Sequence, residues 1–130
     1  ESPDFEPGEI MSRWLNTCSA EEKRGYAAPF PGEDYKQGAR RFPSLIPLFP
    51  DDVEIPANRR AWEKLRQFDK PFLTAFSDGD PGTMHRQFQN EVPGARGQNH
   101  VTIKNAMHYT QDDQGVVFAQ VVIDFIAANP

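Results

Sequence analysis

Cysteine is nearly absent from this chain: Cys18 stands alone among 130 residues. One thiol makes no internal disulfide and no thiolate metal cluster, so a reducing cytoplasm is the expected compartment. As an isolated small apolar residue, Cys18 is expected to be buried rather than to act as a nucleophile. Long apolar runs are missing too. No stretch approaches the roughly 20 residues needed to cross a bilayer. Nor is there an excess of positive charge. Fourteen Lys+Arg face nineteen Asp+Glu, a net charge of −5, which disfavours nucleic acid or an anionic membrane as the partner. Arg40-Arg41 and Arg59-Arg60 are too short for a binding stripe and read as solvated faces. The N-terminus, Glu1-Ser2-Pro3-Asp4, lacks Met and every mark of a signal peptide; it reads as the interior of a longer chain. No repeat or low-complexity segment occurs.

Proline is plentiful, twelve against nine glycines, and it divides the chain. The pattern from Glu9 to about Tyr26 is helical, with Ile10, Trp14 and Leu15 on one face. Ser19-Ala20-Glu21-Glu22 is a capping box that starts a second short helix. Pro29, Pro31, Pro43, Pro47 and Pro50 then exclude long regular elements, leaving an ordered loop with a short helix near Tyr35 to Arg41. A chain of this size, if compact, buries roughly two thirds of its surface.

The second part has the rhythm of an α/β sheet. Pro56 suits the first turn of a helix to about Phe68, with Ala61, Trp62, Leu65 and Phe68 on its buried side. Phe72-Leu73-Thr74-Ala75-Phe76 is a run suited to a buried parallel strand. Asp78-Gly79-Asp80-Pro81-Gly82 makes a sharp turn. A helix with Met84 and Phe88 at i,i+4 follows and ends at Val92-Pro93-Gly94. Val101 and Ile103 mark a second strand, a loop carries His108, and Gly115 to Ala128 form a last helix. The order describes a right-handed βαβ crossover. Two strands make a poor sheet, so further strands are implied.

Two residues stand out by place. Asp80 follows the first strand and His108 the second, where open α/β sheets bind ligands. A histidine there can take a proton from water, and a carboxylate can fix its tautomer and stabilise the imidazolium. A loop Asp is more often a turn or cap residue, and a lone His more often structural. Asp78 rivals Asp80 for the acid role, though it is expected to cap the turn. His85 and His100 are expected to be solvated, and their spacing does not suggest a metal site. Trp14 and Trp62 are expected to pack in the core.

The segments Tyr26-Ala27-Ala28-Pro29-Phe30-Pro31, Gln37-Gly38-Ala39-Arg40-Arg41-Phe42-Pro43, Lys70-Pro71-Phe72-Leu73-Thr74-Ala75-Phe76-Ser77-Asp78-Gly79-Asp80-Pro81 and Ala106-Met107-His108-Tyr109-Thr110-Gln111-Asp112, in this order, resemble the C-terminal stretch of haloalkane dehalogenases. The likeness covers nearly the whole chain. It implies an α/β fold class: the last two parallel strands and flanking helices of an α/β-hydrolase sheet plus part of a helical cap, an incomplete fold. Residues 1–52 would be cap and 53–130 core. It implies a two-step hydrolysis in which an aspartate forms an alkyl ester and a histidine-activated water cleaves it. His108 matches the base and Asp80 its carboxylate partner. Phe42, Pro43 and Ile46 match cap positions that line the apolar cavity. No cofactor and no metal are implied. The implied partners are a small apolar halogenated substrate and either the missing N-terminal half or a second copy of the chain.

The sequence departs from the family in two ways. No G-x-S-x-G or G-x-D-x-G occurs, so the nucleophile elbow, the oxyanion donors and the halide-binding indoles belong upstream, and this chain alone is expected to be inactive. The residue before the histidine, commonly Gly in the family, is Met107. A non-catalytic hydrolase remnant that binds or self-associates, and an epoxide or ester hydrolase of the same fold, remain the alternatives.

Overall fold

The computed structural model describes residues 5–82 and 84–130; the reading of Glu1 to Asp4 lies outside them. The chain opens with α1 (Pro7–Ser12) and α2 (Ala20–Ala27). The continuous helical pattern is broken between them. Ser19 restarts the helix by the reciprocal capping box, its hydroxyl taking the Glu22 N–H while Glu22 takes the Ser19 N–H. A 3₁₀ turn (Glu33–Lys36), α3 (Gln37–Arg41) and a second 3₁₀ turn (Phe42–Leu45) fill the proline-rich stretch. Lys36 is buried here, and its ammonium donates to Glu33 at 2.7 Å and Glu6 at 2.9 Å.

Helix α4 (Ile55–Leu65) begins with Pro56 in its first turn. Its expected buried side is only partly covered. Trp62 and Leu65 are half-buried, while Ala61 and Phe68 are exposed. Trp62 stacks on Phe88 at 5.2 Å between ring centroids. Strands β1 (Ala75–Ser77) and β2 (Val101–Ile103) are parallel, with Ala75 opposite Val101 and Ser77 opposite Ile103. Helix α5 (Met84–Glu91) makes the crossover. The turn α6 (Thr110–Asp113) and α7 (Gly115–Ala128) complete the chain.

Strand β1 is shorter than the run from Phe72 to Phe76. The Phe72 N–H goes to the Gly94 carbonyl, and the Thr74 N–H goes to the His100 imidazole. Those backbone groups are satisfied by a turn and a side chain, so no ladder forms before Ala75. His100 is therefore not a solvated residue. Its Nδ1 accepts from Thr74 at 3.1 Å, which leaves the proton on Nε2 to donate to the Ala95 carbonyl at 2.9 Å. His85 is likewise half-buried, against the Phe76 ring at 5.3 Å.

The core is small: Leu15, Val92, Ala95, Ile103 and Ala106 are its buried apolar residues. Cys18 is only half-buried. The accessible surface is 9609 Å², against about 6,900 Å² for a compact chain of this mass. The chain is thus not compact enough to bury two thirds of its surface, in keeping with the incomplete fold that the resemblance implies. Phe72, Leu73 and Phe76 are half-covered, and on α7 Val116, Ile123 and Ile126 are exposed. A helix apolar on most of its sides is normally enclosed; this one is not.

Candidate active site

The two strands end side by side, and their carboxyl ends deliver two loops to one place. The Asp78 N–H continues the ladder to Ile103, and the Gly79 N–H donates to the Ala106 carbonyl at 2.9 Å. Ser77 joins the loops from below. Its hydroxyl donates to the Met107 carbonyl at 2.7 Å and accepts the Asp80 N–H at 3.1 Å.

Asp80 divides its carboxylate between two partners. Oδ1 accepts the Gly82 N–H at 2.7 Å, an Asx turn that fixes the side chain, and Oδ2 lies 3.1 Å from His108 Nδ1. The carboxylate is sheltered at 16% exposure, while the imidazole is 51% exposed. With the Nδ1 proton facing Asp80, a neutral ring keeps Nε2 as a free acceptor. Asp78 meets other groups: its carboxylate accepts the Ala106 N–H at 3.4 Å and lies 3.8 Å from the Lys104 ammonium. The strands end at Ser77 and Ile103, the second stopping two residues before Asn105. Asn105 instead turns the chain with φ 57°, a left-handed conformation that Asn tolerates.

Met107 sits in this loop without a positive φ, since among the described non-glycine residues Asn105 is the one with that conformation. Room for its thioether comes from Gly79, where a β-carbon would lie 2.7 Å from the Met107 sulfur. Trp14 corrects the sequence expectation. It is 39% exposed and stands beside His108, ring centroids 5.5 Å apart. The helical periodicity that grouped it with Ile10 and Leu15 carried no sign of this, because α1 ends at Ser12 and the partner lies at the other end of the chain. Phe42, Pro43 and Ile46 are exposed. Ile46 lines a cavity with Arg41, Leu45, Pro47 and Val53, not with His108 or Asp80. Among the described residues no cluster of His, Cys, Asp and Glu could hold a metal, and no helix is long and apolar enough to cross a membrane.

Parallel strands joined by a helical crossover, with an acid beyond the first and a histidine paired to it beyond the second, have the arrangement of the last part of an α/β-hydrolase. Sequence comparison gives that class a family. Over 133 aligned positions the chain is 45% identical to a haloalkane dehalogenase of Psychrobacter cryohalolentis, covering 100% of the chain and 44% of the relative. It is 42% identical to a haloalkane dehalogenase of Mycolicibacterium paratuberculosis (95% of the chain, 42% of the relative). It is 46% identical to haloalkane dehalogenase 1 of Mycobacterium tuberculosis (98% and 43%). No family model matches the chain. The chain spans less than half the length of the curated relatives it matches, and it corresponds to a C-terminal stretch of a haloalkane dehalogenase-like hydrolase.

Proposed function

We propose that this chain supplies the proton-handling half of a hydrolytic dehalogenase, with His108 as the base and Asp80 as its partner. The observation that carries the reading is the 3.1 Å contact between His108 Nδ1 and Asp80 Oδ2 at the carboxyl ends of parallel strands. In this reading residues 1–52 belong to a helical cap and residues 53–130 to the hydrolase core. Phe42, Pro43 and Ile46 line the pocket for a small apolar halogenated substrate once the rest of the protein closes over them. The protein works in the cytoplasm, consistent with its single cysteine.

The chemistry follows from the two groups. An aspartate from the remainder of the protein attacks the carbon bearing the halogen. A C–O ester bond forms and the halide leaves with the bonding pair. His108 Nε2 then takes a proton from water, and the hydroxide oxygen adds to the ester carbonyl. The acyl C–O bond breaks, and the imidazolium returns its proton to the departing alkoxide. One alcohol, one halide and one proton are released in total. Asp80 holds the Nδ1–H tautomer and offsets the charge on the ring while it is protonated.

The test uses the full-length protein that carries these residues. It should release halide from a short haloalkane, and His108→Ala should release one halide per site and then stop, leaving an alkyl adduct visible by intact mass. No halide release from the wild type, or full turnover by His108→Ala, would refute the reading.

A further inference from the structure

His108 is half exposed, and the Asp80 contact fixes one atom of its ring. A single hydrogen bond leaves an imidazole free to swing about the bond axis, so it does not aim the other nitrogen. Two ring contacts restrict that swing. Tyr109, the next residue, meets the imidazole edge-on at 5.2 Å and 79°. Trp14, from the opposite end of the chain, meets it at 5.5 Å and 57°.

The indole is not held by burial, since it is 39% exposed. It is held by its backbone. The Tyr109 N–H donates to the Trp14 carbonyl at 3.3 Å. The Asp113 carboxylate accepts the Asn16 N–H at 3.0 Å and the Met107 N–H at 2.8 Å. The Asn16 side chain donates to the Asn105 carbonyl at 2.5 Å. The residues around Trp14 and those around His108 are therefore bound to one another at several points, with one carboxylate bridging both segments.

We infer that Trp14 is a positioning residue for His108: carried on the Asp113 tether, its indole sets the plane of the imidazole and so the direction in which Nε2 points. The inference rests on the proposed ester hydrolysis and deepens it. Formation of the alkyl ester needs no base. Cleavage of the ester needs Nε2 aimed at a water. A loss of aim therefore slows the second step and spares the first.

The experiment is halide release in the full-length protein, followed from its burst into the steady state, with Trp14→Leu and Trp14→Phe. Trp14→Leu should give a burst at the wild-type rate and a steady state about 10- to 100-fold slower, with the alkyl ester accumulating in the mass spectrum. Trp14→Phe keeps a flat aromatic face and should recover most of the steady-state rate. Misfolding would lower the burst amplitude without changing the rates of the sites that remain, so the two effects are read separately. If Trp14→Leu slows both steps equally or neither, or if Phe is as slow as Leu, the inference is overturned. His108→Ala is the control. If it traps no ester, the hydrolysis reading itself has failed; if it traps ester and Trp14→Leu does not, Trp14 alone loses its role.

Discussion

Gly79 lies where the acid turn and the histidine loop touch, and Gly79→Ala should force them apart. The added methyl would sit 2.6 Å from the Ala106 carbonyl oxygen and 2.7 Å from the Met107 sulfur. The thioether is flexible and can swing away. The carbonyl is backbone, and it also accepts the Gly79 N–H at 2.9 Å, so it cannot retreat without losing that bond. An ordinary carbon–oxygen contact needs about 3.3 Å, so the two loops must separate by about 0.7 Å. Carried to the site, that displacement takes the Asp80–His108 contact from 3.1 Å to about 3.8 Å, beyond hydrogen-bond reach. The overpacking should cost about 1–3 kcal/mol of stability, and the misplaced imidazole should slow ester cleavage on the order of 10²-fold. Urea unfolding and single-turnover kinetics of the full-length protein measure the two effects. The double variant Gly79→Ala/Met107→Gly separates the obstacles: it should recover little, because the carbonyl remains. A Gly79→Ala protein as stable and as fast as wild type would refute the reasoning, and complete recovery in the double variant would move the blame to the sulfur.

Other perturbations discriminate as clearly. Asp80→Asn should slow turnover by about 10³-fold or more by stabilising the wrong imidazole tautomer, whereas Asp78→Asn, which keeps an acceptor for the Ala106 N–H, should change the steady-state rate little; a reversal of that order would transfer the acid role to Asp78. The Tyr26 phenol hydrogen-bonds to Asp112, which with its burial pushes the phenol up to about 12. Because that value lies above the ordinary 10.0, the stabilisation is complete below pH 10 and should fade between pH 10 and about 12. Ultraviolet titration of the tyrosinate band, with Tyr26→Phe removing the late-titrating group, checks both the assignment and the sign. Residues 1–130 alone should self-associate through exposed apolar surface such as Val122 and Ile126 on α7. Light scattering should show association that Val122→Lys/Ile126→Lys reduces, and a monodisperse wild-type monomer would contradict it.

The crossover was legible in the sequence because its signals are local. Pro56 at a helix start, the capping box at Ser19, and the span of α7 from Gly115 to Ala128 each follow from a few neighbouring residues. The juxtaposition of Asp80 and His108 was legible because the order strand, turn, helix, strand, loop leaves few places for them to go. What escaped was set by contacts across the chain or by contacts that are absent. The length of β1 depended on His100 and Gly94 taking the Phe72 and Thr74 amides, which no periodicity encodes. The exposed sides of α4 and α7 carry apolar patterns that read as buried. An aromatic residue at helical spacing usually packs in a core, and by pattern alone Trp14 reads that way. Its place beside His108 depends on a tether between Asp113 and Asn16, residues unremarkable in sequence.

Asp80 and His108 are 28 positions apart, each in the loop that follows one of the two paired strands. Their relative placement is set first by the ladder between those strands and by Ser77, which bonds both loops. A cut made within α5 separates the pair, and Trp14 and Asp113, which lie outside the strand–helix–strand unit, bind the loop that carries His108. Swapping the residues from Phe72 to His108 between relatives would move the Asp80–His108 pair together and leave behind the Asp113 carboxylate that holds the Met107 N–H.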